Sequence, residues 1–225
     1  MKIRFVTQGR ADDCSSLFNK QNATDVVVFG PDGLGLVSYK KELDGDTERF
    51  RDVAKLSREI NGVIISGCDT DSYGVFRHSA VIADRGKLLG VSDMAHSVDD
   101  SEFVSGGNFR VYDTSAGKIG IIVDRDLFFP ESARVLALCD ADVIICVFRK
   151  SENFMPQIML RAGAFCNGVP IAMCTEKFAC VSDIKGEMIF MKTAERSETE
   201  IIPQKDYHLI SSRRRGLYRD FGSGY

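Results

Sequence analysis

The chain has 225 residues, 44% of them hydrophobic and 27% charged, and carries a net charge of −3 at neutral pH. This composition fits one globular domain with enough chain to bury a core, and its balance of charge gives no field for nucleic acid or an anionic membrane. The opening MKIRFVTQ has no long apolar run and does not read as a signal peptide, and no stretch approaches the roughly 18 apolar residues of a membrane span.

The cysteines are odd in number (Cys14, Cys68, Cys139, Cys146, Cys166, Cys174 and Cys180) and form no CxxC pair. Most sit in apolar runs such as VIICVF and IAMC, the pattern of reduced core thiols in a cytoplasmic protein rather than of a disulfide frame or a zinc site. Cys146 and Cys166 are both expected in the core. With only His78, His96 and His208 available, a His-rich metal site is excluded.

In chain order, short β-branched runs predict strands over 2–7, 25–29, 62–67, 76–83, 109–113, 118–123, 143–147 and 169–173. A further hairpin is expected over 178–182 and 188–192, around Asp183-Ile184-Lys185-Gly186. Most runs are apolar throughout, as in strands covered on both faces. Between them, 46–61 places Phe50, Val53, Ala54, Leu56 and Ile60 near a 3.6-residue period and closes at Asn61-Gly62. A second helix is expected over 130–140, with Pro130 in its first turn, and a third over 156–167, ending at Asn-Gly. Alternating strands and helices with added hairpins predict a layered α/β protein with mixed sheets. A single domain spans 1–225, its more polar end, from about Ala194, reading as a tail that frays.

Several segments then resemble, in order, the carbon–nitrogen hydrolase (nitrilase) superfamily. DVVVF resembles the strand leading to that family's catalytic Glu, and YGVFRHSAVIADRGKLLG the hairpin just ahead of its catalytic Lys. FVSGGNFRVYDTSAGKIGIIVDRDLFFPESARVLALCDADVII resembles the block that carries its catalytic Cys, LRAGAFCNGVPIAMC the helix and strand beyond, and SRRRGLY the closing motif. The resemblance implies a four-layer α-β-β-α sandwich and no cofactor. It implies a homo-oligomer built through a helical face, or a partnership with an active relative.

Carried over residue by residue, the resemblance puts the family's Cys on Asp124, its Lys on Met94 and its Glu nearest to Asp32, one position late. His96 keeps a His two residues after the Lys position, Asp126 keeps an Asp, and a second acid falls on Asp99. The family reaction needs a thiolate to attack an amide or nitrile carbon, a carboxylate to move protons and a cation for the oxyanion. A carboxylate at 124 cannot replace the thiolate on an amide, because the adduct would sooner expel a carboxylate of pKa about 4 than an amine.

Three readings of Asp124 remain open. It caps the helix near Pro130 or pairs with Arg125 or another basic group. Asp32, Asp99 and Asp124, with His96 nearby, form an acidic pocket for a cationic or amine-bearing small molecule. Or Asp124 acts as a general base, or as a metal ligand with Asp126, in a different hydrolysis. The expectation is a nitrilase-fold pseudoenzyme, inactive toward carbon–nitrogen bonds, that binds a ligand or assembles. The alternative is a diverged hydrolase using Asp124 and Asp32. The glycines of Gly30-Pro31-Asp32-Gly33-Leu34-Gly35 read as a turn, Arg213-Arg214-Arg215 as part of a structural tail, and His78 as structural.

Overall fold

The structure, a computed structural model, describes residues 1–11, 24–97, 102–149 and 153–212. In chain order its first half contains β1 (Lys2–Val6), β2 (Val26–Phe29), β3 (Leu36–Ser38), α1 (Tyr39–Asp44), α2 (Arg49–Glu59), β4 (Val63–Ser72), β5 (Val75–Asp84) and β6 (Lys87–Asp93). Its second half contains β7 (Val111–Thr114), β8 (Gly117–Val123), a 3₁₀ turn (Asp124–Phe128), α3 (Pro130–Leu138), β9 (Val143–Val147), α4 (Met155–Asn167), β10 (Ile171–Cys174), β11 (Ala179–Ser182), β12 (Met188–Lys192), β13 (Arg196–Glu200) and α5 (His208–Ser211).

The strands form two sheets, ordered β13-β1-β2-β4-β5-β6 (with β3 beside β4) and β12-β11-β10-β9-β8-β7. Both are mixed. β1, β2 and β4 run parallel in the first, β8, β9 and β10 in the second, and the outer pairs are antiparallel. Between the sheets lies one apolar core in which Ile3, Phe5, Val28, Ile65 and Ile82 face Ile119, Ile121, Ile145, Ala172 and Val181. A second core packs α3 and α4 on the other face of the β8–β10 strands, and a third packs α2 on the outer face of the first sheet. This is an α-β-β-α sandwich, and it explains why VVVF and VIICV are buried at every position.

β3, α1 and α5 have no counterpart in the sequence expectation, and two polar stretches differ from it in extent. β4 runs on through Cys68-Asp69-Thr70-Asp71-Ser72, where the run was expected to stop at Gly67, because β5 pairs with it along its whole length, from Val63↔Asp84 to Ser72↔Val75. The extension sets Asp69 opposite His78. The stretch after Ala194 is a strand before it is a tail: Arg196–Glu200 pairs antiparallel with β1, and the following Ile201 is buried. Its signal is charge rather than hydrophobicity, since Lys2 and Arg4 both pair with Glu198 across the ladder. A charged outer strand of this kind blunts the sheet edge.

The polar segment after β13 is tied down by Lys205, whose ammonium donates to Asp140 and pairs with Asp142 ahead of β9. Bonds from Lys118 and Lys205 hold the Asp140 carboxyl down at about 2.

Candidate functional site

In both sheets the parallel strands direct their carboxyl ends toward one rim of the sandwich, the edge at which open α/β sheets gather ligands. β2 ends at Phe29 and passes into Gly30-Pro31-Asp32-Gly33. That turn is strapped to β4, with Gly67 donating to the Gly30 carbonyl at 3.2 Å and Leu34 to the Gly67 carbonyl at 3.0 Å. The backbones meet so closely that a Cβ on Gly67 would lie 2.5 Å from the Pro31 Cα. The glycines of this stretch therefore serve close approach, and they fix where Asp32 stands.

β8 ends at Val123, and Asp124 turns the chain with a positive φ of 47°. Only Asn, Asp and a few other side chains adopt this left-handed conformation readily. The buried Asp124 carboxylate accepts the backbone N–H of Arg149, just past β9, at 3.0 Å. It does not cap the next helix: α3 begins at Pro130, behind Phe129, without any side-chain cap.

Arg149 then reaches from the second sheet to the first. Its Nη1 donates to Asp32 Oδ1 at 2.8 Å, and its Nη2 donates to Asp69 Oδ1. Its Nε lies 3.0 Å from His78 Nδ1, while that same ring nitrogen lies 2.7 Å from Asp69 Oδ1. One nitrogen cannot accept from the arginine and donate to the carboxylate at once, so the His78 tautomer decides which partner it has. The imidazole stacks on Phe103 with ring centroids 3.8 Å apart.

Asp126 faces elsewhere. Its carboxylate, 1% exposed, accepts the backbone N–H groups of Ala95 and His96, and meets His96 Nδ1 at 2.8 Å. Burial pushes the Asp126 carboxyl up, opposed by these hydrogen bonds. His96 also stacks on Phe129, with centroids 3.9 Å apart. This clamp fastens the segment after β6, Met94 included, to the 3₁₀ turn. Met94 lies in the inter-sheet core, 2% exposed, where its thioether fills space and donates no proton.

The structure thus brings Asp32 and Asp124 to one site through Arg149, and sets Met94, Asp126 and His96 together beside it. Asp99 lies outside the described residues, as do Arg213, Arg214 and Arg215. The reading of Asp124 and Asp126 as joint metal ligands is not carried by the geometry: their carboxylates face different partners, and no group of three or more metal-ligating side chains occurs among the described residues.

Cys146 is a core thiol as expected, fully buried; burial, and then the nearby Asp124 charge, push it well above the usual thiol range. Cys166, by contrast, is exposed on α4, because its position faces the groove between α3 and α4 rather than the sheet. Sequence reasoning missed Arg149 and Asp69 and gave His78 no part. A signal was present in Arg149-Lys150, a basic pair directly after a fully apolar strand, parallel to the strand that ends in Asp124.

Two facing mixed sheets, helices outside them and polar groups gathered at the parallel strand ends define an α-β-β-α sandwich with a strand-end site. The sequence profile of the carbon-nitrogen hydrolase family matches residues 10–217, and the chain belongs to that family. It is 28% identical over 138 residues to a probable nitrilase of Schizosaccharomyces pombe, covering 58% of this chain and 51% of the relative. It is 34% identical over 104 residues to a nitrilase of Pyrococcus abyssi, covering 45% of this chain and 39% of that protein. The chain thus spans about half or less of the length of these curated relatives.

Among solved structures, a carbon-nitrogen hydrolase from Helicobacter pylori G27 superposes with a TM-score of 0.77 at 18% identity, over 100% of this chain and 99% of that one. The amidase of Nesterenkonia sp. AN1, captured with acrylamide added at its active-site cysteine, gives 0.79 at 17% identity, over 98% and 99%. These likenesses establish the fold.

Asp126→Asn is expected to destabilise the protein by about 1–3 kcal/mol, because the amide offers its NH₂ toward N–H groups that the carboxylate accepts. A carboxyl raised in the folded state adds stability below its unfolded pKa and loses it as pH rises through the folded value. The wild type's advantage over Asp126→Asn should therefore be largest in acid and shrink toward neutrality, read from denaturant unfolding at a series of pH values.

Proposed function

We propose that this member of the carbon-nitrogen hydrolase family no longer carries out thiolate-based hydrolysis, and that its strand-end site serves binding. The observation that carries the reading is the Asp124 turn: at the position that matches the family's nucleophile, the side chain is a carboxylate engaged by the Arg149 backbone. The positions matched to the Lys and the Glu hold Met94, buried in the core, and Asp32, paired with Arg149. Cys146 is buried with its thiol pushed up, which leaves it a poor source of thiolate. The amide, nitrile and citrulline chemistry named for similar proteins would need groups these positions lack. The ligand favoured is a small cationic molecule, because Asp32, Asp69 and Asp124 together carry more negative charge than Arg149 neutralises.

One observation favours the alternative, a diverged hydrolase using Asp124 and Asp32. Arg149 sets a guanidinium beside Asp32 and a backbone N–H on Asp124, so the site is not without donors for a developing anion. Ammonia release from a panel of amides, nitriles and ureido acids separates the two. No release above background, from wild type and Asp124→Ala alike, is expected. Turnover that Asp124→Ala abolishes would overturn the binding reading.

For assembly we favour a second copy of this chain meeting the outer helical face. Val135, Leu138, Ile158 and Phe165 are exposed on α3 and α4, and the groove between these helices carries both Glu131 and Arg134 on its walls. Opposite charges on one face let a two-fold related copy pair with itself. Sedimentation equilibrium should give a dimer or larger species that Ile158→Glu shifts toward monomer. A monomeric wild type would contradict this.

A further inference from the structure

The carboxylates at the rim would not by themselves make a ligand site. What distinguishes this one is that it is filled by a planar cation reaching in from the opposite sheet. The Arg149 guanidinium uses its Nη1 on Asp32 and its Nη2 on Asp69, with its Nε against His78, and its side chain retains 21% exposure. One Arg149 nitrogen thus meets each partner, the forked presentation that favours a guanidinium over a compact ammonium.

The partners are fixed independently of the arginine. Asp69 sits in the regular β4–β5 ladder opposite His78, His78 is stacked on Phe103, and Asp32 is held by the turn strapped to Gly67. The Arg149 backbone N–H is held separately, by Asp124, so its side chain can leave Asp32, Asp69 and His78 without unmaking that bond. Beside the seat lies a cleft of about 650 Å³ whose walls include Asp32 and Asp69 themselves, with Gln8, Arg10, Glu176 and Lys177 beyond. Because the lining beyond the seat mixes acids and bases, recognition rests on the seat.

We infer that Arg149 is an internal occupant of a cation seat, an autoinhibitory contact that a small molecule bearing a guanidinium group displaces on entering through this cleft. The inference rests on the reading of the strand-end site as a binding site and names the group recognised there. Swinging out the arginine exchanges one guanidinium's hydrogen bonds for another's on the same carboxylates, with no covalent bond made or broken. The apparent affinity of the intact protein is therefore the intrinsic affinity multiplied by the fraction of time the seat is empty.

The test removes the occupant and supplies it from solution. Thermal unfolding of wild type, Arg149→Ala and Arg149→Met is followed with guanidinium chloride up to about 50 mM, far below denaturing concentrations, against equal sodium chloride. Both variants should unfold at lower temperature than wild type. Guanidinium should raise their midpoints saturably by a few degrees beyond the salt control, with no such rise for wild type. Adding Asp69→Asn should weaken the response at least tenfold in concentration.

A variant that folds only with guanidinium present would support the seat equally well. An equal shift in wild type and variants, a rescue indifferent to Asp69→Asn, or a variant that stays unfolded with and without guanidinium would overturn it. Ammonia release does not enter this readout. A protein that hydrolyses amides yet whose Arg149→Ala variant is rescued would keep the seat and discard the loss of hydrolysis.

Discussion

The site depends on one electrostatic constraint. Two sheets bring three carboxylates, Asp32, Asp69 and Asp124, to the same rim, and Arg149 answers them there through its guanidinium and its backbone N–H. Like charges gathered at a partly buried rim repel one another, and each loses part of its hydration. A guanidinium that satisfies two of them removes most of that cost and ties the sheets together at the end where the apolar core stops. The side chains of Arg149 and Asp69 are 21% and 23% exposed, so their attraction is less screened than that of an ordinary surface pair. Asp32, at 61%, contributes position more than energy.

The backbone around this cluster is held in a demanding geometry. The chain turns sharply after β8, with Asp124 in a left-handed conformation that most residues avoid. The turn is braced by Asp126, which accepts two backbone N–H groups and clamps His96. Fold and site are separable here: membership in the carbon-nitrogen hydrolase family fixes the sandwich and the strand ends, and the side chains placed there decide what they do.

Much of the fold was legible because burial on both faces leaves a plain record. VVVF, GIIV and VIICV can be little other than covered strands, and the Pro130 and Asn167-Gly168 signals bound their helices well. The polar elements were not legible. CDTDS continues β4 because β5 lies beside it, and RSETE is a strand because Lys2 and Arg4 meet Glu198; neither fact is visible within the segment itself.

The site followed the same division. Asp124 could be found because it directly follows a readable strand at a position the family resemblance marks, and Asp32 because it is the acid in the turn after another. Asp69 was hidden in a stretch read as loop, and Arg149 required knowing that β9 ends opposite β4. Two of the acids were therefore visible in the sequence, and their pairing with Arg149 across the sheets was not.

The account stands most directly on the claim that Arg149 and Asp69 act as one unit. A double-mutant cycle on unfolding free energy, with Arg149→Ala, Asp69→Asn and the two combined, measures that coupling without reference to any ligand or reaction. A coupling of about 1–3 kcal/mol is predicted, with the double variant far less destabilised than the sum of the single ones. Additive effects, with a coupling near zero, would contradict the account and leave Arg149 a surface residue beside unrelated carboxylates.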